Sequence, residues 1–278
     1  MKSNDQQLSN KPDMPARMEV QGVSVHYGQL PVLSGVSFEV PHGGQVAVVG
    51  PNGAGKSTLF KALVGLIPID RGQILIHGLP LGQHQDCVAY VPQREDVDWR
   101  FPVTVADVVM MGRYGKNRGL HRPGKVDHEI VDQALRELGI ADLATRSIGE
   151  LSGGQQQRAF IARALAQKPH ILLMDEPFAG VDAATQETTL ALLDRLHEQE
   201  VTVLVSTHDL DLAVRRFEKT LLLNHTVIAY GDSNLVFTPE ALREAFSGQV
   251  LFVNGGAAVV DQCCPHPEHE AHPMEKRR

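Results

Sequence analysis

No apolar run in this chain approaches the ~20 residues that a bilayer-crossing helix requires. The longest runs, such as Ile171-Leu172-Leu173-Met174, have strand length. Positive charge is also short: 26 Lys and Arg stand against 33 Asp and Glu, a formal net charge of −7. That balance argues against a nucleic-acid partner, which usually demands a basic footprint. Cysteine is scarce. Cys87, Cys263 and Cys264 form no disulfide framework, and two of them are adjacent in sequence, so a reducing compartment is expected. The N-terminal stretch Met1 to Arg17 is polar, carries Pro12 and Pro15 and has no apolar core. It reads as a disordered lead-in over 1–16 rather than a secretory signal. What remains is ordinary globular composition, 42% hydrophobic and 21% charged over 278 residues, enough for one large domain with a sizeable insertion.

Short apolar segments alternate with helical stretches from Val20 to about Phe246. Gln45 to Val49, Ile171 to Met174 and Thr202 to Ser206 are continuously apolar or nearly so, the pattern of strands covered on both faces in a parallel α/β sheet. Met18 to Val25 and Val32 to Val40 alternate instead, which predicts an antiparallel edge region. A hairpin is expected around Asn224-His225. Between Arg94 and Gln167 the pattern turns helical, with helices over Val105 to Met111, Glu129 to Leu138 and Gln156 to Ala166, and it reads as an inserted subdomain. From Gln262 onward Pro, His, Glu and Lys dominate, a composition that cannot bury enough surface to order itself.

Gly50-Pro51-Asn52-Gly53-Ala54-Gly55-Lys56-Ser57 fits G-x-x-x-x-G-K-[ST], after an apolar strand and at the start of a helix over Lys56 to Val64 that carries Thr58 next. Small residues let the backbone curl so that successive N–H groups face phosphate oxygens, and the helix N-terminus adds partial positive charge. Lys56 would bridge the β- and γ-phosphates of ATP, and Ser57 would ligate Mg²⁺. Asp175, at the end of the strand Ile171 to Met174, is the second expected Mg²⁺ contact. Glu176 follows it and is placed to orient, or accept a proton from, an attacking water. Two adjacent acids before a helix could instead be caps, a reading that weakens beside a complete phosphate loop.

Leu151-Ser152-Gly153-Gly154-Gln155, opening a helix just ahead of the Asp175-Glu176 strand, completes an order of motifs that resembles the ABC ATPase family over about Arg17 to Phe246. The resemblance implies a P-loop NTPase core of mainly parallel sheet, an antiparallel β edge region and an inserted helical subdomain at about 94–167. It divides the chain into an ATPase domain at 17–246 and a C-terminal extension at 247–278. It implies further that Ser152, Gly153, Gly154 and Gln155 close over the γ-phosphate held by a second copy, giving a head-to-tail dimer. In the same frame Tyr27 matches an aromatic that stacks on adenine, and Gln93 a glutamine that meets Mg²⁺ and the attacking water. Asp182 matches a dimer-crossing aspartate, although Ala179-Gly180-Val181 departs from the commoner Ser-Ala-Leu before it. His208 matches a switch histidine near the γ-phosphate. ATP hydrolysis is therefore expected, at the cytoplasmic face of a membrane and in contact with integral permease subunits.

The cargo is addressed only by resemblance. Tyr90 to Val105, continuing from Asp107 to Arg113, together with Pro177 to Asp182, looks like ATPase subunits of bacterial manganese, zinc and iron importers. Manganese is favoured, and an extracytoplasmic metal-binding protein is the implied indirect partner. Trp99, Phe101 and Met110 are either contacts for the membrane subunit or ordinary subdomain core. Importers of iron-siderophore or cobalamin, and a non-transport ABC ATPase in DNA repair or translation, are the alternatives; one cassette and an acidic balance argue against the last. The tail residues Cys263, Cys264, His266, His269 and His272 suit a soft metal, but their spacing matches no closed structural zinc site.

Overall fold

The computed structural model describes residues 18–83, 87–114 and 123–246, and the backbone of two short strands, Val250–Val253 and Gly256–Val259. The lead-in 1–16 and the Cys/His tail fall outside the described residues.

Two sheets organise the molecule. The strands β1 (Met18–Tyr27), β2 (Leu30–Val40), β4 (Arg71–Ile76) and β5 (Leu79–Pro80) form an antiparallel sheet in the order β2-β1-β4-β5. The alternating region is thus a sheet of its own, enlarged by β4 and β5. The second sheet takes the order β10-β9-β3-β8-β7-β6. Its strands are β3 (Gln45–Val49), β6 (Val88–Val91), β7 (Ile171–Met174), β8 (Thr202–Thr207), β9 (Lys219–Asn224) and β10 (Thr226–Asp232). All neighbours are parallel except β9 and β10, the predicted hairpin, whose turn places His225 at φ 59°.

The continuous apolar runs follow from burial on both faces. In β3, Ala47 and Val49 join one core while Val46 and Val48 join the other; in β7, Leu172 and Met174 oppose Ile171 and Leu173 in the same way. One core lies between the two sheets and takes in α1 (Lys56–Leu63). The other packs the parallel sheet against α2 (Val105–Met111), α3 (Lys125–Glu137), α4 (Gly153–Ala166) and α5 (Ala183–Glu198).

The helices α2, α3 and α4 occupy the sequence between β6 and β7. Two of them begin earlier than hydrophobic spacing alone predicts. The start of α3 is Lys125, where Asp127 folds back to the Gly124 amide at 3.0 Å. The start of α4 is Gly153, because Ser152 and Gln155 form a reciprocal capping box. The glycines of the LSGGQ segment are therefore the first turn of the helix rather than a loop before it. After β8 come α6 (Leu210–Arg216), α7 (Ser233–Val236) and α8 (Pro239–Ala245).

Candidate functional site

The phosphate loop leaves β3 at Gly50 and is braced from behind by the β9–β10 turn. A side chain at Gly50 would place its Cβ 2.1 Å from the Leu223 carbonyl oxygen, so only glycine allows this approach. Ala54 O accepts from the His225 amide at 2.9 Å. Gly53 and Gly55 sit at φ 82° and 94°, where L side chains are strained, and these two left-handed residues curl the chain into the N-terminus of α1. Such a curl presents backbone N–H groups to an anion.

Lys56 is 5% exposed. Its ammonium donates to the carbonyls of Gly50 at 2.8 Å and Pro51 at 3.1 Å and stands 3.7 Å from Glu176 Oε1. Burial pushes its pKa down, while the carboxylates of Glu176 and Asp175 push it back up. Glu176 adopts φ 46°, a left-handed conformation that is uncommon for a residue with a side chain. The turn lets it follow Asp175 directly and still reach the crevice. His208 Nδ1 lies 3.7 Å from Glu176 Oε2, on an imidazole that is 62% exposed.

These parts converge on one cavity of about 940 Å³, lined by Pro51 to Thr58, Gln93, Glu176 and His208. Glu95, Asp209 and Asp211 also line it, and the motif reading missed all three. Asp175 is fully buried. Its Oδ1 accepts from the Ser206 hydroxyl at 2.5 Å and its Oδ2 from the Tyr90 hydroxyl at 3.3 Å. The same Ser206 oxygen accepts from the Glu176 amide at 2.8 Å, so one side chain fixes both acids. Burial and the neighbouring Asp175 charge hold the Tyr90 phenol well above its ordinary range, and it remains a donor. Ser206 and Tyr90 were not singled out from sequence. The available signal was a hydroxyl inside a strand covered on both faces, which must find a partner.

Other motif residues stand apart from the cavity. Tyr27 is 53% exposed at the end of β1 and does not line it. Ser152, Gly153, Gly154 and Gln155 form the start of α4 and do not line it either. Asp182 caps α5 by accepting from the Thr185 amide at 2.8 Å, the bond that chiefly holds its carboxyl below the ordinary range. Asp182 and Thr185 press on Gly154, where a Cβ would meet Thr185 Oγ1 at 2.2 Å and Asp182 Oδ2 at 2.6 Å. Gln93, lining the cavity, leads into a 3-10 turn whose first residue, Arg94, donates to Gln156 Oε1 in α4 at 3.1 and 3.2 Å. A polar linkage thus runs from the cavity wall to the LSGGQ helix. Of the three residues offered as subunit contacts, Met110 is buried core, Trp99 packs edge-on against Phe160, and Phe101 is 61% exposed.

The family model described as ABC transporter matches residues 33–179. The chain is 48% identical over 236 residues to the manganese transport system ATP-binding protein MntB of Bacillus subtilis, covering 85% of this chain and 94% of that one. It is 44% identical over 252 residues to the zinc transport system ATP-binding protein TroB of Treponema pallidum, covering 90% and 95%. Among solved structures, a chain of a transporter assigned to the metal-chelate type, captured inward-facing, superimposes with a TM-score of 0.73. That pair is 30% identical, and the match covers 87% of this chain and 95% of that one. Motif order, the two-sheet core and these likenesses agree: the chain belongs to the ABC transporter family, as an ATP-binding and ATP-hydrolysing subunit.

Proposed function

We propose that this subunit energises the import of a divalent transition metal, manganese first, then zinc or iron. The single observation that carries the ATPase part is the meeting of Lys56, Glu176, Gln93 and His208 around the phosphate loop in one cavity. The cargo rests on relatives named for manganese and zinc transport at 48% and 44% identity.

ATP enters with its phosphates against the amides of Gly50 to Ser57 and with Lys56 on the β- and γ-phosphates. Glu176 orients the attacking water and accepts its proton, and His208, beside Glu176, contacts the transferring phosphoryl group. Ser57, Asp175 and Gln93 are oxygen donors, the kind that suits a hard cation; Ser57 and Gln93 line the cavity, and Asp175 is buried next to Glu176 with its carboxylate held by Ser206 and Tyr90. These residues would hold Mg²⁺, which would supply positive charge to offset that of the phosphates. Tyr27 packs on the adenine. The LSGGQ turn and Asp182, away from the cavity of their own chain, complete the cavity of a second copy in a head-to-tail dimer. The ATPase domain spans 17–246, with a helical subdomain at about 94–167 that meets the permease. The subunit sits on the cytoplasmic face through that permease, which receives its metal from an extracytoplasmic binding protein.

The test is deletion of the gene, with cellular manganese, zinc and iron measured by mass spectrometry while each metal in turn is limiting. A manganese deficit rescued by the native chain but not by Lys56→Ala supports the reading. Unchanged metals overturn the cargo and redirect the search to siderophores or cobalamin.

A further inference from the structure

At the opposite end of the parallel sheet from the nucleotide cavity, three metal-binding side chains meet. Two of them are paired by strand register. The pairing of β6 with β7 sets Val88 beside Ile171, so the residues just before them, Cys87 and His170, also stand side by side. The His170 amide donates to the Cys87 carbonyl at 2.8 Å, and the His170 carbonyl accepts from the Thr202 amide at 2.9 Å. The third comes from the other sheet. His77 occupies the two-residue turn between β4 and β5, at φ 53° with Gly78 at φ 74°, and Ile76 pairs with Leu79 across it. Both central residues have positive φ, as a type I′ turn requires, and the turn holds the imidazole toward β6 and β7.

The ligand atoms of His77, Cys87 and His170 all lie within 4.8 Å of one another. His170 Nδ1 and His77 Nε2 are 3.3 Å apart, with the rings edge-on. Two nitrogens each bonded at ~2.0–2.1 Å to a tetrahedral zinc ion stand roughly 3.3 Å apart, so the pair already spans one edge of such a tetrahedron. Cys87 is 3% exposed and both imidazoles are half-buried, which places the sulfur inside and leaves the nitrogens an approach from solvent.

We infer that His77, Cys87 and His170 form a binding site for a borderline-soft divalent cation, zinc foremost, that clasps the antiparallel sheet to the N-terminal ends of β6 and β7. Two imidazoles and a thiolate suit Zn²⁺ or Co²⁺ and disfavour Mg²⁺ and Mn²⁺, which prefer oxygen. Three protein ligands leave a fourth position for water. On binding, Cys87 releases its thiol proton to solvent, and the proton in the His170 Nδ1–His77 Nε2 hydrogen bond shifts to the other nitrogen of its own ring, freeing both atoms to ligate. His170 precedes Asp175 by five residues, about 16 Å along an extended strand, so the site is separate from the ATP-phosphate cavity.

The test uses the full chain carrying Cys263→Ser and Cys264→Ser, so that any thiolate signal comes from Cys87, titrated with Co²⁺ without nucleotide or Mg²⁺. The expected result is a near-ultraviolet thiolate-to-cobalt charge-transfer band with tetrahedral visible bands, saturating at one Co²⁺ per chain and displaced by Zn²⁺. His77→Asn, which tolerates the left-handed turn, and His170→Ala should each weaken binding at least tenfold, and Zn²⁺ should raise the melting temperature only when the trio is intact. Circular dichroism melting without metal shows that each variant is folded, and the histidine variants keep the test open if Cys87→Ser is not. Absence of the thiolate band, or a band whose affinity neither histidine substitution changes, overturns the site. Neither outcome bears on the transport reading.

Discussion

The Ser206 hydroxyl donates to Oδ1 of Asp175 at 2.5 Å, and the same oxygen accepts from the amide of Glu176. A side chain in β8 therefore sets the position of both acids at the end of β7. Replacing Ser206 with Ala leaves a fully buried carboxylate short of one donor and a partly buried amide short of its acceptor. We expect a stability loss of about 1–3 kcal/mol. ATP turnover should fall further than ATP affinity, because the phosphate loop itself is untouched. Urea unfolding and phosphate-release assays on Ser206→Ala check both.

Glu176→Gln keeps the shape of the side chain and removes its charge. Turnover should drop by roughly 10²–10⁴-fold, the range for a lost general base. Nucleotide should stay bound, because Lys56 keeps its carbonyl contacts and loses a competing carboxylate. Size-exclusion chromatography with ATP should show a trapped dimer. Hydrolysis at the native rate would remove Glu176 from the role proposed for it.

Lys56 supplies a pH dependence. Desolvation lowers its folded pKa below the ordinary 10.5. Between the folded value and 10.5 the unfolded chain binds more protons than the native one, so stability rises with pH across that window. Affinity for ATP runs the other way: it should fall as pH rises through the folded value, because the neutral amine no longer attracts phosphate. Titrating nucleotide affinity against pH for the native chain and Lys56→Ala checks this. The alkaline loss should be present in the first and absent in the second.

Gly112 ends α2 against the backbone of α4. A Cβ there would lie 2.1 Å from the Arg163 carbonyl oxygen, which has no room to yield without moving the helix. Gly112→Ala should cost about 1–3 kcal/mol, as overpacking does. The phosphate loop belongs to the other side of the sheet, so ATP binding should survive. Thermal melting with and without ATP separates the two effects.

The contiguous motifs were legible because their geometry is local. Glycines at 53 and 55 curl a loop wherever a strand precedes and a helix follows, and Ser152 with Gln155 caps a helix within four residues. The apolar runs of β3, β7 and β8 announced strands buried on both faces, since a polar side chain covered by a core on either face must find a partner there. The length of α3 was less legible, because a capping bond from Asp127 extended it beyond its apolar spacing. Met110 offered no sign in sequence of whether it faced a partner or the core, and its burial in the core shared by α2, α3, α4 and the parallel sheet decided it.

By itself, then, the sequence determined the phosphate loop, the acid pair, the helix-opening LSGGQ turn and the α/β class, because each depends on residues near one another along the chain. Tertiary structure alone decided that Ser206 would hold Asp175, since that contact follows from the register that pairs Met174 with Val205. It alone brought His77 to Cys87 and His170, from two sheets whose packing no local pattern specifies. Backbone conformation is set over a few residues, whereas register and the stacking of sheets are set by how distant apolar faces fill a shared core.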